Sequence, residues 1–164
     1  MIRCFRPEMD SDTMFAVYGD AEVMRFIPGG ALADEAAVRS LLVRYTNVQQ
    51  RRGFSSWAVV DRASGRVIGD AGFGIFAPTG DVELGYTLAR GCWGHGYATE
   101  AAGACLAAGL TELPAPRIVA LVDEEHEVSL RVPERIGMAR MHTIQAYGRP
   151  HVLFAAFAAL GEDS

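Results

Sequence analysis

Two glycines at the end of a strand-like segment constrain this chain more than any other feature. Trp93, Gly94, His95, Gly96, Tyr97 and Ala98 stand where a strand pattern gives way to a helix pattern. Upstream, Asp81 to Leu88 alternates in polarity and ends apolar, as a strand does. Downstream, Ala98, Ala101, Ala102, Cys105, Leu106, Gly109 and Leu110 recur at i, i+3, i+4 and i+7, one face of a helix. Pro114 and Pro116 end that helix, and the apolar run Arg117 to Val122 follows as a second strand. Residues 81–122 therefore read as a βαβ crossover, which joins parallel strands. At its first turn the glycines leave the backbone open to approach. The first N–H groups of a helix have no partner inside it, and the helix dipole adds positive charge there. The junction is built to hold phosphate.

The rest of the chain supplies an antiparallel frame for this unit. Ile2 to Arg6 reads as a short strand, and Asp10 to Gly19 as a helix with Asp10, Ser11 or Asp12 as its cap. Residues 27–33 form a loop with turn chemistry. Asp34 to Arg52 is an amphipathic helix with Ala37, Leu41, Leu42 and Tyr45 on one side, closed by Gly53. Ser56 to Asp61, Val67 to Phe76 and the strand from Asp81 form a meander through turns at Ala63-Ser64-Gly65 and Pro78-Thr79-Gly80. Ser129 to Ile136 reads as a short helix closed by Gly137. Met138 to Tyr147 and His151 to Leu160 read as a final hairpin around Gly148-Arg149-Pro150. Pro133 is awkward, since a proline inside a helix costs about 3 kcal/mol. Either the helix starts late, near Arg131 or Val132, or it bends. The pattern predicts one α/β domain over residues 1–164, with a mixed sheet flanked by helices.

Composition narrows the chemistry. All 15 basic residues are Arg; there is no Lys. A Walker-A nucleotide loop and lysine Schiff-base chemistry are thereby excluded. A dinucleotide fold would need glycine where Thr99 stands. The net charge of −5 argues against a nucleic-acid partner. The longest apolar run, Val152 to Leu160, is too short to cross a bilayer, and no signal-peptide pattern opens the chain. Cys4, Cys92 and Cys105 are odd in number and unpaired in spacing, which fits reduced thiols in the cytoplasm. Cys4 and Cys105 read as small buried residues. No CxxC or HxxxH pair offers a metal site.

Taken together, these motifs resemble the GNAT superfamily of N-acetyltransferases, and within it the branch of ribosomal-protein N-terminal acetyltransferases. That family's acetyl-CoA signature, Gln/Arg-x-x-Gly-x-Gly/Ala, falls on Trp93 to Ala98, with Thr99-Glu100-Ala101 following in pattern. Glu83-Leu84-Gly85-Tyr86 matches the preceding strand. Asp20 to Phe26 matches the loop between the first helices, Trp57-Ala58-Val59 and Gly65 to Gly69 match two strands, and Ser129 to Met138 matches the fourth helix. The likeness spans roughly residues 1–140 in order. It implies a splayed, mostly antiparallel sheet of about 6–7 strands with about 4 helices. Acetyl-CoA would be the co-substrate, its pantetheine in the gap beside Leu88 and its pyrophosphate on residues 93–99. The acceptor would be a primary amine on a small molecule or peptide, and the protein a monomer or homodimer.

The resemblance also implies roles. A typical amine is protonated at neutral pH and must lose its proton to attack. Glu83, on the strand beside the expected acetyl group, is the candidate base. Ser129 is the candidate proton donor to the departing thiolate; it also suits a cap hydroxyl or a cofactor contact. His126 stands where the family often has Asn. It is either a cofactor contact, a new acid–base group or an exposed loop residue. Arg25, Phe26 and Ile27 fall on the acceptor-side wall. Tyr86 and Tyr97 read as packing residues. Cys92 invites an acyl-enzyme route, which would need a base such as His95 and a lowered thiol pKa. The competing reading is a catalytically idle acyl-CoA-binding module.

Overall fold

The computed structural model describes residues 1–159. A seven-stranded sheet runs in the order β1-β2-β3-β4-β5-β7-β6. The strands are β1 (Ile2–Arg3), β2 (Ser56–Val60), β3 (Val67–Phe76), β4 (Asp81–Leu88), β5 (Arg117–Asp123), β6 (Ala139–Ala146) and β7 (Arg149–Phe157). Four helices flank it: α1 (Pro7–Tyr18), α2 (Glu35–Arg52), α3 (Tyr97–Glu112) and α4 (Glu127–Arg135). Only β4 and β5 pair in parallel, as a βαβ crossover demands; every other neighbour is antiparallel. The mixed sheet with four helices is the architecture that the motif order implied.

Alternation along β4 divides the sheet into two faces. Val82, Leu84 and Leu88 join Ile118, Ala120, Val122 and Phe154 in a core under α3 and α4. On the other face α1 and α2 cover Ala58, Val60 and Val67. Glu83 lies on this second face, with Val119, Leu121, Asp123 and His151 set by the β5–β7 register. α3 lies close to the sheet because Gly109 meets it: a Cβ there would stand 2.6 Å from the Phe73 ring.

Several boundaries differ from the sequence pattern, each for a local reason. α1 begins at Pro7, not Asp10, because proline's fixed φ suits the first turn and its missing N–H costs nothing there. Asp10 reaches back instead, accepting from the Arg6 N–H at 2.7 Å and pairing with Arg3 of β1 through two bonds of 2.8 Å. Asp34 does cap α2, accepting from the Ala37 N–H, and Gly53 closes it. The last hairpin turns at Tyr147-Gly148, both with positive φ, so Arg149 and Pro150 belong to β7. Leu160, the expected end of that strand, lies outside the described residues. Cys4 is exposed just past the two-residue β1, contrary to the expected burial, whereas Cys105 is buried in the α3 core. No described helix is long and apolar enough to cross a membrane.

α4 starts at Glu127, two positions before the expected Ser129 and not late near Arg131 or Val132, so Pro133 lies inside it. A proline at 133 deprives the Ser129 carbonyl of its helical donor. Here the Tyr86 hydroxyl of β4 replaces that donor, bonding Ser129 O at 3.2 Å, and Ser129 Oγ in turn donates to the Tyr86 oxygen at 3.1 Å. The proline thus creates an opening that a neighbouring strand fills, and the exchange ties α4 to β4.

A second polar contact is buried between α1 and the sheet. The Tyr18 hydroxyl donates to Asp70 Oδ2, and both side chains are almost wholly buried. Burial pushes the Asp70 carboxyl up from 3.8 to about 7, against the opposing pull of the Tyr18 hydrogen bond. A carboxyl whose pKa rises on folding holds its proton more tightly in the folded state. Its contribution is therefore complete below pH 3.8 and is lost as pH rises toward about 7. Asp70→Asn should remove this loss, on the order of 1 kcal/mol per pH unit across that interval. Urea unfolding of both proteins at pH 5 and pH 8 checks it; parallel pH dependences would refute the assignment.

Candidate active site

The site begins where the sheet comes apart. β4 and β5 share only the pairs Val82↔Ile118 and Glu83↔Val119. Beyond Glu83 the two strands diverge: β4 continues against β3, and Ala120–Asp123 of β5 pair only with β7. The edges facing the gap carry backbone N–H and C=O groups without ladder partners, and such groups need partners from elsewhere.

The glycine turn lies at the open end of this gap, beyond a single 3-10 turn at Arg90–Cys92. Gly94 and Gly96 adopt φ of 77° and 79°, which other residues disfavour, and a Cβ at either would meet nothing within 4 Å. Gly96 caps α3 without any side-chain hydrogen bond. None of the N–H groups of residues 94–99 has a backbone partner among the described residues. The open glycine surface, the unpaired donors and the helix dipole together fit a pyrophosphate. The Trp93 indole N–H donates to the Leu88 carbonyl at 3.0 Å, across the start of this turn. That bond takes up one of the two lone pairs of a carbonyl in the stretch where the family resemblance implies a cofactor contact. His95 is exposed and lies 5.9 Å from the Tyr97 ring, while Ala98 and Thr99 are half-buried in the first turn of α3.

Glu83 sits at the fork. Its Oε2 accepts from the Tyr147 hydroxyl at 2.5 Å, and Oε1 has no hydrogen-bond partner among the described residues. Burial raises the Glu83 pKa above its usual value, while the Tyr147 bond and the charge of His151 oppose that rise. Tyr147 itself holds a left-handed backbone, φ 54°, in the β6–β7 turn. His151, buried on β7, stands 5.7 Å from the Tyr147 ring, and its Nδ1 lies 3.0 Å from the Arg149 carbonyl. A carbonyl only accepts, so Nδ1 is the donor in this contact.

Beside this group lies a cleft of about 170 Å³, lined by Arg25, Phe26, Ile27, Asp123, Tyr147, Arg149 and His151 among others. The Arg25-Phe26-Ile27 wall expected on the acceptor side is thus brought to the same cleft as Tyr147. The His126 ring stacks on Phe26 at 4.5 Å. Burial lowers its pKa, which keeps the ring neutral. Ser129 lies on the opposite face, bonded to Tyr86, whose hydroxyl burial pushes up to about 12. Tyr86 therefore does more than pack. The Cys92 thiol is pushed up by burial, the reverse of what a nucleophile needs, and this counts against an acyl-enzyme. Tyr147, His151 and Arg149 escaped the sequence reading because they follow the matched motifs and only the hairpin register brings them to Glu83.

Residues 1–139 match the model of the acetyltransferase (GNAT) domain. The chain belongs to the GNAT acetyltransferase family. Acetyl-CoA is the co-substrate of this family's reaction. The Bacillus subtilis protein YkkB is 32% identical over 156 residues, covering 93% of this chain and 89% of its own length. A GNAT-family acetyltransferase from Bacillus anthracis superposes with a TM-score of 0.82 at 25% identity, covering 96% of this chain and 93% of that one. A spermidine N-acetyltransferase from Vibrio cholerae, in complex with CoA and spermine, gives a TM-score of 0.77 at 14% identity, covering 97% and 95%.

A side chain at Gly96 would have to adopt a left-handed φ, and a carboxylate there would repel a pyrophosphate. Gly96→Glu should weaken acetyl-CoA binding by about tenfold or more, since each 1.4 kcal/mol is a factor of ten. Calorimetric titration with acetyl-CoA measures this, and an unchanged affinity would remove the turn from the donor site.

Proposed function

We propose that this GNAT acetyltransferase moves the acetyl group of acetyl-CoA to a primary amine by direct attack, with Glu83 as the general base. The observation that carries the reading is the position of Glu83. It stands at the last paired residue before the sheet opens, on the face that holds the acceptor cleft. The unpaired N–H groups of residues 94–99 lie on the α3 side. Donor and acceptor features thus flank one gap.

The acetyl thioester supplies the electrophilic carbonyl and the thiolate leaving group. Glu83 Oε1 is the open carboxylate oxygen and takes the ammonium proton, while Tyr147 holds Oε2 and fixes the carboxylate. A carboxylate with a raised pKa is a stronger base than an exposed one. The His151 ring packs against Tyr147 and backs it. Ser129 lies on the other face, where its hydroxyl donates a proton at the departing sulfur, and the second proton shed by the nitrogen as the amide forms restores it. The amine nitrogen forms the bond to the acetyl carbon as the carbon–sulfur bond breaks, and the products are an amide and the CoA thiol.

A base and a hydroxyl pair on opposite faces of the gap favour turnover over an idle binding module. The ribosomal-protein branch suggested by the motifs makes a protein N-terminus one form of the acceptor, and small amines are the other.

The rate should rise with pH through the Glu83 pKa, which lies above the ordinary 4.5. Tyr147→Phe removes a hydrogen bond to the charged form, so the acidic limb should move to higher pH. Glu83→Gln should lower kcat/KM by about 10²-fold or more and abolish that limb. Thiol release from acetyl-CoA, followed against pH for the three proteins, tests the assignment. An unaltered profile in Glu83→Gln would exclude Glu83 as the base.

A further inference from the structure

Phe26 is a half-buried ring on the wall of the acceptor cleft, and two guanidiniums gather around it. Arg25 Cζ lies 5.1 Å from its centroid and Arg149 Cζ lies 5.7 Å from it. His126 stacks on the same ring as a neutral imidazole. The two arginines differ in what holds them. Arg149 Nε lies 2.8 Å from Asp123 Oδ2, and its Nη2 donates to Glu125 Oε2 at 2.7 Å. Two carboxylates therefore fix the guanidinium by one edge and leave Nη1 without a hydrogen bond among the described residues. Arg25 has no carboxylate within ion-pair distance among the described residues.

The one acid in the cleft lining is not available to a ligand. The Asp123 side chain is 1% exposed, and Oδ2 is sealed from solvent. The Arg149 N–H does not point at that oxygen, so Oδ2 has an ion pair but no hydrogen bond. Its charge serves to hold Arg149. The lining thus offers an acceptor one unpaired guanidinium, Arg25, and a second, Arg149, already paired with Asp123 and Glu125, while the open Glu83 carboxylate stands beyond it for the amine. Arginine paired with a carboxylate is the strong, geometry-specific contact for such a group. A polycation in this cleft would meet repulsion from the unpaired Arg25. At about 170 Å³ the cleft falls below the roughly 300 Å³ at which sites for drug-sized ligands begin. It suits a small head group.

Resting on the acetyltransferase reading above, we infer that the acceptor is a small primary amine that also carries an anionic group, a carboxylate or a phosphonate, held between Arg25 and Arg149 while its amine faces Glu83. This acceptor class is opposite in charge to the spermine bound by the Vibrio cholerae structure.

Thiol release from acetyl-CoA is measured with a panel of free amino carboxylates, amino phosphonates, the carboxamides of the same amines, spermine, and short peptides with acidic or neutral side chains. The expected result is a kcat/KM at least tenfold higher for an anionic amine than for its carboxamide. Arg25 is exposed, so its replacement leaves the core intact. Arg25→Gln should reduce that preference by about tenfold, and Arg25→Glu should reverse it. A preference for spermine, for carboxamides or for peptides overturns the inference and leaves the acetyltransferase intact. An anionic preference that survives in Arg25→Gln overturns the role of Arg25. If no amine releases thiol, the melting temperature of the CoA-bound protein decides. A rise with amino carboxylates in the wild type and not in Arg25→Gln supports the anion site although transfer fails. No rise overturns it.

Discussion

The parallel contact between β4 and β5 is two residue pairs long, and the candidate site depends on its being so short. Had the ladder continued past Glu83, the backbone groups along Leu84–Leu88 and Ala120–Asp123 would have satisfied one another. Divergence leaves them facing a gap, and unpaired backbone groups demand partners. Each diverging strand is held by its outer neighbour, β4 by a full antiparallel ladder with β3 and β5 by one with β7. The opening is therefore a property of a sheet braced from both sides. Glu83 sits at its apex, where it is buried enough for its pKa to rise yet keeps one oxygen free.

Two departures from regular structure cluster around this opening, and each is compensated by a neighbour. Pro133 removes a helical donor from the Ser129 carbonyl, and Tyr86 of β4 restores one. Tyr147 takes a positive φ in a two-residue turn, and its hydroxyl is anchored on Glu83. Irregular backbone persists where the surroundings over-determine it, and such places concentrate at functional sites. Both tyrosines connect a peripheral element to β4, so both faces of the gap are braced against the strand that carries Glu83.

The strand–glycine–helix unit was legible in the sequence because its signals are local. Gly94 and Gly96 between an alternating strand and an i, i+3, i+4 helix mark a phosphate turn without knowledge of anything distant. The turns at Gly53, Gly65 and Gly80 were legible for the same reason, as was the pairing of β2, β3 and β4. The acceptor side was only half legible. Arg25 and Phe26 could be placed on a wall, but nothing near them in sequence named Arg149, Tyr147 or His151. These residues reach the cleft through the β5–β7 and β6–β7 registers, and register is set by which face of a strand must be buried. His126 shows the same limit. Its spacing from Ser129 pointed to the donor, and nothing in that spacing foretold its stacking on Phe26.

By itself the sequence determined the element order, the crossover that forces one parallel pair, and the open glycine turn before α3. It did so through periodicity and backbone conformational preference, both of which act within a few residues. Only the tertiary structure decided that the sheet opens at Glu83, that Tyr86 replaces the donor Pro133 removes, and that two arginines meet around one phenylalanine. Those outcomes come from strand register and from burial, which joins residues separated by most of the chain and fixes both their contacts and their protonation.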